Sequence, residues 1–153
     1  MQVIHAKQAL TPQGWANDVS VSIDEAGRID GVKITAAAES ARVHHVDLLL
    51  PAPTNLHSHT FQRAMSGLTE TRGPNPNDSF WTWRQLMYRY LDRLGPDEIE
   101  AIAAMVFMEM LEAGYSSVAE FHYLHHDVGG TPFADLGELS GRIVAGAQAT
   151  GIG

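Results

Sequence analysis

The sequence contains no cysteine. Disulfides and thiolate metal sites are therefore excluded, and any metal bound by this chain must be held by histidine, aspartate or glutamate. Long apolar runs are missing too. No stretch approaches the roughly 18 residues of a membrane span, and the opening MQVIHAKQALTPQG lacks the charged start and apolar core of a secretory leader. The expectation is a soluble, cytoplasmic protein with no membrane partner. Positive charge is scarce as well: 10 Lys and Arg stand against 18 Asp and Glu, for a formal net charge of −8. A nucleic-acid partner needs a broad basic surface, so none is expected. What is present is an ordinary globular composition, 44% hydrophobic over 153 residues, with eight histidines to explain.

Residues 2–50 read as short strands and turns. Residues 19–23 (VSVSI) alternate at period 2, residues 24–28 form a glycine-containing hairpin connection, and residues 32–34 return. Residues 36–41 suit either a loop or one helical turn. The apolar run at 46–50 (VDLLL), ended by Pro51 and Pro53, suits a buried strand that exits into irregular backbone.

From Asp78 helical periods take over. Asp78 or Ser79 is a candidate N-cap, with an apolar face at Trp83, Leu86, Met87, Tyr90, Leu91 and Leu94. Gly95-Pro96-Asp97-Glu98 restarts a helix whose stripe is Ile99, Ile102, Ala103, Val106, Met110 and Ala113, stopping near Gly114. Residues 116–123 follow as a strand candidate. A last helix is expected over 135–149, burying Leu136, Leu139, Ile143, Val144 and Ala147. Strands followed by alternating strand and helix describe an α/β chain with parallel units. The expected division is a β-rich segment 1–47 and an α/β segment 48–153. The chain stops at Gly151-Ile152-Gly153, where another apolar strand is expected, and so reads as cut.

His57 and His59 alternate across an extended chain and project from one face, spaced so that two imidazoles can converge on one cation. By itself a His-x-His also suits two surface histidines. Its place after an apolar strand, the prolines before it and the absence of thiolates favour metal ligands. His5, His44 and His45 read as solvated or structural. His122, His125 and His126 follow the second strand, where they suit groups behind the ligands, additional ligands or merely a polar loop.

Residues 61–95 are locally basic, with Arg63, Arg72, Arg84, Arg89 and Arg93 against Glu70, Asp78 and Asp92. Arg89 and Arg93 fit the solvated face of a helix. Arg84 directly follows the aromatic cluster Phe80-Trp81-Thr82-Trp83, which could wall a pocket, and arginine suits bidentate clamping of a carboxylate. Gln62 lies three residues beyond His59, where it suits either a ligand contact or a loop hydrogen bond.

The stretch LLPAPTNLHSH at 49–59 resembles the first-strand motif of the amidohydrolase superfamily, in which a small N-terminal β-sandwich precedes a (β/α)8 TIM barrel. NLHSHTFQRAMSGLTE at 55–70, DSFWTWR at 78–84 and AEFHY at 119–123 with His125 and His126 narrow the resemblance to the formimidoylglutamate deiminases of histidine degradation. Ala52 stands where that pattern usually has glycine. The resemblance implies a sandwich portion followed by the first two of eight βα units. It also implies hydrolysis of N-formimino-L-glutamate to N-formyl-L-glutamate and ammonia at one divalent metal, zinc. His57 and His59 would be metal ligands, Gln62, Arg84 and Tyr123 contacts to a small dicarboxylate, and His122 a group behind them. The remaining ligands, two histidines and an aspartate, and the acid/base groups would come from later strands, beyond Gly153, and the chain alone would be inactive. Such an enzyme admits a homodimer. Other readings are a related amidohydrolase deaminating a heterocycle, guanine-deaminase-like, or an inert truncated fragment.

Overall fold

The computed structural model describes residues 2–36, 42–69 and 77–153. Arg72 and Glu70 of the basic stretch, and residues 37–41 of the alanine-rich one, lie outside them. The chain divides into two compact units, Met1–Pro51 and Ala52–Gly153.

The first unit is one four-stranded sheet of order β3-β2-β1-β4, with β1 at Gln2–Thr11, β2 at Gly14–Ile23, β3 at Ile29–Ile34 and β4 at Val43–Leu49. β1 and β2 pair antiparallel from Gln2↔Ile23 to Thr11↔Gly14 around a two-residue turn. The Thr11 hydroxyl donates to the Gly14 carbonyl at 2.8 Å. In the β2–β3 connection the Asp24 carboxylate accepts the N–H groups of Ala26 and Arg28, each at 2.9 Å, and Gly27 supplies the positive φ of 78°. Ala6, Ala9, Val19 and Val21 form the small core of this unit.

The run at 46–50 corrects the sequence reading. It belongs to β4, which pairs parallel with β1 in the first unit, and Leu48 is exposed. A run of consecutive leucines cannot face one side of a pleat, so half of it is left outside. Pro51 and Pro53, lacking N–H donors, separate it from the strand that does carry the histidines. His44 and His45 lie in β4 and are exposed, whereas His5 is buried with Nδ1 3.0 Å from Ser20 Oγ.

The second unit runs β5 (Thr54–Ser58), a 3-10 helix (Thr60–Met65), α1 (Phe80–Leu91), α2 (Pro96–Glu112), β6 (Ser117–Glu120) and α3 (Glu138–Thr150). β5 and β6 pair in parallel, Thr54↔Ser117 and Asn55↔Val118. α1 starts at Ser79, whose N–H donates to Thr82 Oγ1 at 2.9 Å. α2 opens with Pro96, Asp97 and Glu98, a first turn suited to the positive end of its dipole. Phe61, Met65, Met87, Leu94, Ile99 and Phe107 build the core, with Leu139 and Ile143 from α3. Among the described residues no helix is long and apolar enough to cross a membrane.

α3 also departs from expectation. It begins at Glu138, not at residue 135, because the Asp135 carboxylate accepts the Gly137 N–H at 2.8 Å and holds a turn there. Leu136 is consequently 74% exposed, and Val144, one position beyond Ile143 on the helix, is 53% exposed. The third buried position is Gly146. A Cβ there would stand 3.0 Å from Ala104 N and 3.2 Å from Glu100 O, both backbone atoms of α2. Gly146→Ala is expected to lower unfolding stability by about 1–3 kcal/mol, as overpacked sites do, measured as a drop in denaturant midpoint. On the same interface Arg142 reaches Asp97, Glu100 and Glu138 at 2.9–3.0 Å.

Candidate metal centre and adjoining pocket

Side chains alternate along β5 and just past it, so His57 and His59 share a face while Ser58 is buried on the other. The two rings meet edge to face with centroids 4.7 Å apart, and their Nε2 atoms are 2.9 Å apart. His59 Nδ1 lies 2.8 Å from the Phe121 carbonyl oxygen, which can only accept. The proton is therefore on Nδ1, and Nε2 presents a lone pair toward His57. Two nitrogens bound to one tetrahedral zinc at ~2.0–2.1 Å stand roughly 3.3 Å apart, close to the separation found. The pair thus fits two corners of one zinc site. Among the described residues no group of three or more His, Cys, Asp or Glu completes such a site.

Beside the pair opens a cavity of about 630 Å³ whose lining includes His59, Gln62, Trp83, Arg84, Tyr88 and Tyr123. Gln62 reaches it from the 3-10 helix, whose first turn is set by the Gln62 N–H donating to His59 O at 3.0 Å. Tyr123 stands edge to face on His59 at 4.7 Å between centroids. Its φ of +61° is costly for a bulky residue, of order 1–3 kcal/mol, and places that strain beside the histidines. α1 forms the remaining wall. Arg84 Nε and Nη2 donate to the Tyr88 hydroxyl at 2.9 and 2.6 Å, and the guanidinium lies over the rings of Trp81 and Tyr88. Among the described residues Arg84 has no carboxylate partner, which leaves Nη1 available to an anion.

The rest of the basic stretch does other work. Arg63 forms a bidentate pair with Glu109 of α2 at 2.8–2.9 Å, which holds the Glu109 carboxyl below its usual range, while Arg89 is exposed on α1 and Arg93 in the turn that follows it.

His122 is not brought to the pair. It faces α3, with Nε2 3.2 Å from Ser140 Oγ and its ring 4.9 Å from that of His125. Burial, then the neighbouring His125, push its pKa below the ordinary imidazole value, against a smaller upward pull from Glu120. His125 and His126 are exposed, and His126 bridges to Pro132. Because the folded pKa of His122 lies below the unfolded one, its contribution to stability is complete above about pH 6.5. It declines as acid protonates the unfolded chain first. The denaturant midpoint is expected to fall between pH 7.5 and 5.5, and more shallowly in His122→Asn. Equal slopes in the two proteins would remove this assignment.

Sequence reasoning missed the Phe121 carbonyl, Glu120 and Tyr88. Tyr88 had a signal, since it sits four residues after Arg84 on one helix face. The backbone acceptor had none.

Residues 1–45 match the family model for formimidoylglutamate deiminase HutF, N-terminal domain. The whole chain is 52% identical over 153 residues to formimidoylglutamate deiminase of Pseudomonas aeruginosa and spans 33% of that protein's length. An amidohydrolase structure from Brucella melitensis superposes with a TM-score of 0.90 at 43% identity, over 99% of this chain and 33% of that one. Atrazine chlorohydrolase TrzN from Arthrobacter aurescens, complexed with zinc, shares the fold with a TM-score of 0.74 at 20% identity, over 99% of this chain and 34% of that one. The chain therefore spans about a third of the length of the relatives it matches.

Proposed function

We propose, from the premise that the chain belongs to the formimidoylglutamate deiminase family of amidohydrolases, that the whole protein hydrolyses the formimino C–N bond of N-formimino-L-glutamate, yielding N-formyl-L-glutamate and ammonia. In this reading Ala52–Gly153 forms the first βα units of the family's barrel.

The observation that carries the substrate assignment is one cavity with His59 of the histidine pair at one end and in its wall an arginine that has no acidic partner among the described residues. His57 and His59 would hold a zinc together with ligands from other parts of the whole protein. Bound there, zinc supplies a water that is nucleophilic at neutral pH. This chain's own residues do the rest of what is assigned to it. Arg84, its guanidinium pre-positioned by Tyr88 and Trp81, binds a carboxylate of the glutamate moiety through Nη1. The Gln62 amide and Tyr123 hydroxyl orient the substrate chain. The aromatic rings of α1 supply the apolar wall against which the Arg84 guanidinium is held beside the pocket. A cationic wall suits a dicarboxylate better than a neutral ring, which sets this reading above heterocycle deamination.

The test is ammonia release by the full-length protein, loaded with zinc, from N-formimino-L-glutamate and from guanine. Turnover of guanine with none of the dicarboxylate would overturn the substrate assignment and leave the metal assignment standing.

A further inference from the structure

We infer that Glu120 is a positioning residue for the second metal histidine, clamping the chain segment that carries His59. The inference rests on the reading of His57 and His59 as metal ligands.

The strand ladder is irregular where the histidines need support. The β5–β6 register shifts between Asn55 and Ser58, and pairing resumes only at Ser58↔Glu120. The His59 backbone then leaves the strand at φ −138° and ψ 79° to open the 3-10 helix, with no side-chain cap of its own. The Thr60 N–H is thus one of the donors that a helix start leaves without a partner. Glu120 fills it from a strand sixty residues away: Oε1 accepts the Thr60 N–H at 2.7 Å and the Thr60 hydroxyl at 3.0 Å. Thr60 is only 2% exposed, so water does not compete for these charge-assisted bonds.

The next residue completes the clamp. Phe121 donates its N–H to Ser58 O at 2.9 Å and accepts His59 Nδ1 on its carbonyl at 2.8 Å. Two consecutive residues therefore fix the backbone on both sides of His59 and the tilt of its ring. Among the described residues His57 has no such support: its backbone N–H donates to Asn55 Oδ1 at 3.0 Å and its ring meets His59. The cost of the arrangement is visible in Glu120 Oε2, which is buried with no hydrogen-bond partner among the described residues. A half-satisfied buried carboxylate is a poor choice for stability and a good one for holding two donors of one residue.

Zinc affinity of the full-length protein, measured by chelator competition, tests this without reference to turnover. Glu120→Met removes the acceptor and is expected to weaken zinc binding roughly 10- to 100-fold, the usual effect of losing a group that orients a ligand. Glu120→Gln keeps a neutral acceptor and should recover most of the loss. Thr60→Val removes only the hydroxyl donor and should give a smaller loss. Gly146→Ala, remote from the site, should lower stability with unchanged zinc affinity, which separates positioning from general destabilisation. Wild-type affinity in Glu120→Met would overturn the inference; if that variant fails to fold, wild-type affinity in Thr60→Val would do so. A wild-type protein that binds no zinc would overturn the metal reading and this inference together. One that binds zinc without releasing ammonia from formiminoglutamate would overturn only the substrate assignment.

Discussion

Replacing His59 with alanine in the full-length protein is expected to reduce ammonia release from N-formimino-L-glutamate at least about a thousandfold and to lower zinc content well below one per chain. The size follows from what a catalytic metal contributes, several kcal/mol of barrier lowering, with each ~1.36 kcal/mol worth a factor of ten. The direction follows from the geometry. His59 Nδ1 is committed to the Phe121 carbonyl, so its Nε2 lone pair faces His57 with no other partner among the described residues. Alanine removes one corner of the site and leaves His57 with no partner ring. His57→Ala should act in the same direction. Metal analysis and a coupled ammonia assay on the same preparation decide the matter: full zinc occupancy with normal turnover in His59→Ala would end the ligand assignment.

The second large effect is expected at Arg84. Arg84→Met should lower kcat/KM for formiminoglutamate roughly 10- to 100-fold. That range is the ~1.5–3 kcal/mol of a hydrogen bond to a charged group converted at ~1.36 kcal/mol per decade. Because the carboxylate is remote from the reacting carbon, the loss should appear mainly in KM. Methionine preserves the length and apolar stem of the side chain, so its packing near Trp81 changes little. Arg84→Lys should recover only part of the loss, since an ammonium lacks the planar fork and the fixed seat on Tyr88. Zinc content should stay at the wild-type level in both variants. An unchanged KM in Arg84→Met would remove the dicarboxylate from the pocket's list of ligands.

The fold was legible where periodicity and chain-local chemistry agree. The Gly95-Pro96-Asp97-Glu98 start of α2 and the Asp24 turn rest on contacts within a few residues, and the helical period alone marks Ile99 and Ala103 as its buried stripe. Errors arose where partners decide. Residues 46–50 look like a buried strand by hydrophobicity, yet their neighbour is β1 and Leu48 is exposed. Val144 looks like core until Gly146 lets α3 press its backbone on α2 and turns that face inward instead. At the site, residue type and spacing singled out His57, His59, Gln62 and Arg84, and the family resemblance added Tyr123; the structure brings His59, Gln62, Arg84 and Tyr123 to one cavity. Glu120 was read as part of a strand and of the AEFHY motif but given no role, because its two bonds reach across sixty residues to Thr60. No local pattern encodes that.

The connection from β5 to α2 carries an extra passenger. A simple βα unit needs one helix after its strand, yet here the 3-10 helix and α1 both intervene before α2. The histidine pair and its clamp sit on the strand ends, while Arg84, Trp83 and Tyr88 ride on α1. For an engineer this separates two tasks: the pocket-facing residues of α1 can be redrawn for a differently charged or bulkier ligand, with its core-facing Met87 kept, while β5 and β6 hold the register that sets the histidine pair.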